Sequence, residues 1–106
     1  MIIRIWHGWT TPGNAEAYEQ LLRTEIFSGI GARRIPGYRG IQLLGRSLPD
    51  TVEFVTIMRF DGLEAVRGFA GPDYETAVVP PKARALLLRC DERSAHYELR
   101  SDQPSP

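Results

Sequence analysis

Ile2-Ile3-Arg4-Ile5-Trp6-His7-Gly8-Trp9 opens the chain as a strand that carries large apolar groups on both faces. Successive side chains of a strand point to opposite sides. Ile3, Ile5, His7 and Trp9 therefore share one face, and Ile2, Arg4, Trp6 and Gly8 the other. Apolar bulk on both sides marks a central strand. Thr10-Thr11-Pro12-Gly13-Asn14 then supplies turn chemistry, with Asn14 as the expected N-cap. Beyond it Ala15, Tyr18, Leu22 and Ile26 recur at helical spacing and Leu21 widens the stripe. A helix is expected over 14–34. Gly29 and Gly31 weaken its last turns by about 1 kcal/mol each relative to alanine, and Pro36-Gly37 ends it.

Working outward, Tyr38 to Leu48 and Thr51 to Phe60 read as two strands rich in Val, Ile, Leu and Phe, joined around Leu48-Pro49-Asp50 into a hairpin. Leu63, Val66, Phe69 and Ala70 form the apolar side of a short helix that Gly71-Pro72 stops. Asp73 to Val79 is expected to add one helical turn. Pro80-Pro81 opens another segment with Ala83, Leu86 and Leu87 facing inward, because proline is tolerated in a first turn. A last strand runs from Ser94 to Leu99. The order is β-α-β-β-α-β, the split βαβ signature, which predicts an α+β domain: a four-stranded antiparallel sheet with helices on one face. Residues 1–100 make the single domain and 101–106 a disordered, proline-rich tail.

The bulk numbers narrow the partners. A single sheet with helices on one face leaves its other face bare, and 42% hydrophobic residues make that face a liability, which favours a homo-oligomer. Thirteen basic and thirteen acidic residues cancel without forming blocks, so neither nucleic acid nor an anionic membrane is expected as partner. The one cysteine, Cys90, rules out an internal disulfide framework and reads as a packing residue. Met1 leads straight into the first strand without a signal-like segment, and no apolar run approaches ~18 residues. A cytoplasmic protein is the expectation.

Placing the last strand antiparallel beside the first sets Ile3 opposite Leu99, Ile5 opposite Tyr97 and His7 opposite Ala95, with Arg4 opposite Glu98 and Trp6 opposite His96 on the other side. The first set is the more apolar and is assigned to the helices. The expected pocket between sheet and helices is then lined by His7, Trp9, Tyr97, Thr56 and Met58 and roofed by Phe69 and Tyr74. Arg4, Trp6, Glu53, Arg59, His96 and Glu98 fall to the subunit interface. His7 is the candidate catalytic base, since an imidazole titrates near neutral pH; the blander reading is a core histidine with its ring hydrogen-bonded. His7 and His96 lie on opposite faces and cannot share an ion, so no metal site is expected.

Pro36-Gly37-Tyr38-Arg39-Gly40, Val52-Glu53-Phe54-Val55-Thr56 and His96-Tyr97-Glu98, set in this layout over Met1 to Arg100, resemble the antibiotic biosynthesis monooxygenase superfamily of dimeric α+β barrels. The resemblance implies two ferredoxin-like subunits with sheets face to face, a homodimer that covers the bare face. It also implies a range of activities: cofactor-independent quinone-forming monooxygenases, haem-degrading enzymes and isomerases. The haem-degrading branch carries an Ala-His pair as iron ligand, where Ala77 is here followed by Val78. The monooxygenase branch surrounds an aromatic substrate with Asn, Trp, Tyr and Arg, matched in kind by Trp9, Tyr74 and Arg84. The resemblance thus favours a monooxygenase-type oxidoreductase needing no cofactor, with a small aromatic or polyketide-like ligand and His7 as base. The alternative is a non-catalytic small-molecule-binding or stress-response protein of the same fold.

Overall fold

The first strand is indeed central. In the computed structural model, which describes Met1–Pro106, β1 (Ile2–Thr10) pairs along its whole length with β3 (Val52–Phe60), and β3 pairs with β2 (Tyr38–Ser47). All pairings are antiparallel. The fourth position, on the other side of β1, is shared by two short strands. β4 (Arg89–Cys90) pairs with Gly8 and Trp9, and β5 (Ala95–Glu98) pairs with Ile2 to Ile5. Ile3 stands opposite Tyr97 and Ile5 opposite Ala95. This register differs from the expected one by two residues, a slip that leaves every side chain on its own face.

Between β1 and β2 the chain runs as one long helix in three parts: α1 (Pro12–Leu21), a π-helical turn (Leu22–Ile26) and α2 (Phe27–Ala32). The cap is Thr11 rather than Asn14. Its side-chain oxygen accepts the Asn14 N–H at 3.1 Å, and Pro12 takes the first helical position, where a missing N–H costs nothing. α3 (Leu63–Ala70) follows β3, and α4 (Pro81–Arg84) is a single turn. Asp73 to Val79 is not helical. Its backbone pairs instead with the β4–β5 connection, through Ala77 N–H to Glu92 O (2.9 Å), Ser94 N–H to Glu75 O (2.7 Å) and a bridge between Thr76 and Arg93. The segment forms a strap across one end of the sheet.

The helices cover the face of β1 opposite to the one expected. Ile2, Arg4, Gly8 and Thr10 are buried, and so are their β3 neighbours Phe60, Met58 and Phe54. Ile3, Ile5, His7 and Trp9 lie on the uncovered face with Glu53, Val55, Ile57 and Arg59. Two features decide the orientation. Phe54 stands between Gly8 and Gly45 on the neighbouring strands, and these side-chain-free positions leave room for Tyr18, whose ring lies 5.0 Å from that of Phe54. A β-carbon on Gly8 would come within 2.9 Å of Leu87 and 3.0 Å of Trp6. The second feature is Arg4, which finds acceptors inside the fold and so does not need the surface. The core falls into two clusters, one around Phe60, Val66 and Phe69 and one around Tyr18, Leu22 and Phe54. No helix is long and apolar enough to cross a membrane.

Candidate functional site

Where the two clusters meet, sheet and helices do not close fully. A cavity of about 60 Å³ remains, with room for a few water molecules. Its floor is the sheet: Arg4 and Trp6 of β1, Thr56 and Met58 of β3, Ile41 of β2. Its roof is the long helix, where the π turn matters. The extra residue lets Leu22, Ile26 and the next two contacts, Phe27 and Ile30, all reach the same space. Phe69 of α3 closes one side, and Val78, Val79 and Pro80 of the strap the other. Twelve of sixteen lining residues are hydrophobic, so the few polar groups determine what could be held there.

Arg4 is the foremost of them. The residue is 3% exposed; its guanidinium donates to the carbonyls of Tyr74 and Thr76, while Nη1 lies 2.9 Å from His96 Nε2. It also stacks on Phe69, 5.3 Å from the ring centre. Burial pushes its pKa down to about 10, which leaves it charged at neutral pH. His96 is held below the ordinary imidazole value, first by burial and then by the Arg4 charge. Its ring meets Tyr74 edge-on at 5.2 Å. Trp6 also lines the cavity, and its indole N–H donates to Asp91 O at 2.7 Å. Burial raises the Tyr18 phenol well above its usual range, so it stays protonated.

The residues expected to make one pocket are divided between two faces. Thr56, Met58 and Phe69 line the cavity. His7, Trp9 and Tyr97 do not: they stand on the uncovered face, with His7 Nδ1 2.7 Å from the Asp91 carboxylate and the Arg89 guanidinium 4.4 Å above the Trp9 ring. Tyr74 contributes its carbonyl to Arg4 while its ring packs outside, under Arg67. Arg84 is exposed on α4 and absent from the lining. Of the residues assigned to an interface, Arg4, Trp6, His96 and Glu98 belong to the helix-covered side, and only Glu53 and Arg59 lie on the bare face. The reversal comes from assigning the more apolar set, Ile3, Ile5 and His7, to the helices. The signal that would have corrected it was Gly8 alternating with Arg4 opposite the bulky Phe54 and Met58.

No family model and no curated protein matches the sequence. Solved structures do. A protein assigned as an antibiotic biosynthesis monooxygenase from Bacillus cereus superposes with a TM-score of 0.69 at 16% identity, over 99% of this chain and 96% of its own. The chain has the fold of the antibiotic biosynthesis monooxygenases. A variant of MhuD from Mycobacterium tuberculosis, solved with two manganese protoporphyrin IX molecules per active site, gives 0.69 at 16% identity over 99% of this chain and 100% of its own. The monooxygenase ActVA-Orf6 of Streptomyces coelicolor, in complex with nanaomycin D, gives 0.67 at 17% identity over 98% and 92%.

Members of this fold thus bind either porphyrins or other small molecules. The Ala-His iron ligand of the haem-degrading branch has no counterpart in the lining here, which offers no imidazole; Val78 presents an isopropyl group to the cavity wall.

Proposed function

We propose that the protein binds a small aromatic molecule between sheet and helices and acts on it as a monooxygenase-type oxidoreductase, with dioxygen as the oxidant and no bound cofactor. The observation that carries this reading is the apolar cavity at which a buried cation, Arg4, meets Trp6, Thr56 and Ser94. A phenol converted to its anion is electron-rich enough to react with dioxygen. One oxygen atom replaces the hydrogen on the para carbon as the quinone carbonyl, and the second leaves as water with that hydrogen and the phenolic proton. The chain's part is to hold the anion, orient its ring and keep bulk water away. The test is oxygen uptake with a panel of phenols and quinols in the presence of a chelator. One O₂ consumed per quinone formed supports the reading, and no uptake with any phenol that binds overturns it.

One observation favours binding without turnover as the second reading. No lining side chain is a carboxylate or an imidazole: His96 stands behind Arg4, with Nε2 accepting from it, and His7 stands on the other face. Tight binding without oxygen consumption selects it.

The bare face supports a homodimer as part of the same proposal. Ile3, Ile5, Val55, Ile57 and Leu44 form an apolar surface with Glu53, Arg59 and Arg46 around it, and Leu44 is 50% exposed in the single chain. A second copy packed sheet to sheet would cover it.

A further inference from the structure

Arg4 is a buried cation without an anion. None of the chain's ion pairs includes it, and its three polar partners are two carbonyls and a neutral imidazole. A guanidinium has five N–H donors. Nη1 spends both of its hydrogens on Tyr74 O and His96, and Nη2 spends one on Thr76 O. Nε and the second Nη2 hydrogen have no protein acceptor. This is the edge that grips a carboxylate with two parallel bonds, and the same chain shows it at work: Arg39 holds Asp61 through Nε and Nη2. Arg4 lines an apolar cavity, and this edge of its guanidinium has no protein carboxylate. The other titratable groups around it do not supply one. Glu75 on the strap is paired with Arg93 at 3.0 Å, His96 on β5 accepts from Arg4, and Tyr74 on the strap gives Arg4 its backbone carbonyl. Leaving a buried charge uncompensated is costly, and a ligand that compensates it recovers that cost on binding.

We infer that the cavity takes a small aromatic monoanion, with its ionised oxygen on Nε and Nη2 of Arg4 and its ring between Phe69 and Trp6. This rests on the cavity being the ligand site, as proposed above. The ring enters at the expense of the Val78–Pro80 wall, where Val78 and Val79 make no backbone–backbone hydrogen bond that would hold them in place. The ionised oxygen is a carboxylate or a phenolate, and the two are separated by experiment.

Calorimetric titration of the full chain with benzoate, benzamide and 4-nitrophenol, the last followed also by its phenolate absorbance, tests the inference. The expected result is at least tenfold tighter binding of an anion than of the neutral benzamide. Benzoate binding alone identifies a carboxylate; a bound 4-nitrophenol whose pKa falls by a unit or more identifies a phenolate. Arg4→Gln, which keeps donors for the strap carbonyls, abolishes the preference, and Arg4→Lys retains part of it. Equal affinity for benzamide and benzoate without a shift in 4-nitrophenol, no binding of either anion, or a preference that survives Arg4→Gln overturns it. If Arg4→Gln does not fold, the anion-to-neutral ratio of the unaltered chain decides. Oxygen uptake with neutral aromatics and no anion preference would sink this inference alone, whereas anion preference without uptake would sink only the oxidoreductase reading.

Discussion

Arg4 Nη1 lies 2.9 Å from His96 Nε2, and the two residues are direct neighbours across β1 and β5. A guanidinium only donates, so Nε2 accepts and the imidazole is neutral. The folded chain therefore refuses a proton that the unfolded chain binds below an ordinary pKa of 6.5. His96 contributes stability that is present above that value and is lost as pH falls through its lower folded pKa. The urea midpoint should drop between about pH 7.5 and pH 5, and drop less in His96→Gln, which still offers Arg4 an acceptor. Identical pH profiles for the two proteins would remove His96 from the balance.

Gly8 tests which face of β1 the helices cover. An added β-carbon would meet Leu87 and Trp6 at 2.9 and 3.0 Å, so Gly8→Ala should cost about 1–3 kcal/mol by overpacking. On an open face the same change would be neutral or stabilising, because alanine loses less backbone freedom on folding than glycine. A stabilised Gly8→Ala protein would contradict the orientation described here.

The bare face makes a separate prediction. Ile57 lies there between Ile5 and Gln42, away from the cavity. Ile57→Asp should halve the mass measured by light scattering if two sheets pack face to face, because a buried unpaired carboxylate is not tolerated in such an interface. Ligand binding in the cavity should persist. A mass unchanged by the substitution would place the contact elsewhere.

The chain has two tryptophans, one on each face of β1. Trp6 lines the cavity and Trp9 does not. Quenching of indole fluorescence by 4-nitrophenol should therefore survive Trp9→Phe and disappear in Trp6→Phe. The reverse pattern would move the ligand to the uncovered face.

Asp91 ties the divided edge to β1: its carboxylate accepts both the backbone N–H of His7 (3.0 Å) and the ring Nδ1 (2.7 Å). Asp91→Ala should lower stability by about 1–3 kcal/mol, the net worth of two bonds to a half-exposed carboxylate, as read from denaturant unfolding. Its effect on benzoate affinity should stay below about twofold, since the two groups sit on opposite faces. A larger loss of affinity would couple His7 to the cavity.

Much of the architecture was legible in one dimension because it is written in local patterns. The Ile2 to Trp9 alternation, the helical stripe through Tyr18 and Leu22, and the Pro36-Gly37 and Gly71-Pro72 stops each depend on a few neighbouring residues. Asp73 to Val79 departs from the expected helical turn because its conformation is set by long-range pairing with Glu92 to Ser94. The π turn at Leu22–Ile26 has no local signature either.

The sequence by itself determined the order of strands and helices, the central place of β1 and the bare sheet face. These follow from propensity and periodicity, which act over one turn or one strand. Which face of β1 carries the site was a tertiary decision. Both faces are apolar enough to be covered, so the choice fell to Gly8 and Gly45 making room beside Phe54 for Tyr18, and to a distant strap delivering the carbonyls of Tyr74 and Thr76 to Arg4. A charge goes inside a protein only where acceptors are waiting for it. Those acceptors come from residues seventy positions away along the chain, beyond the reach of any local reading.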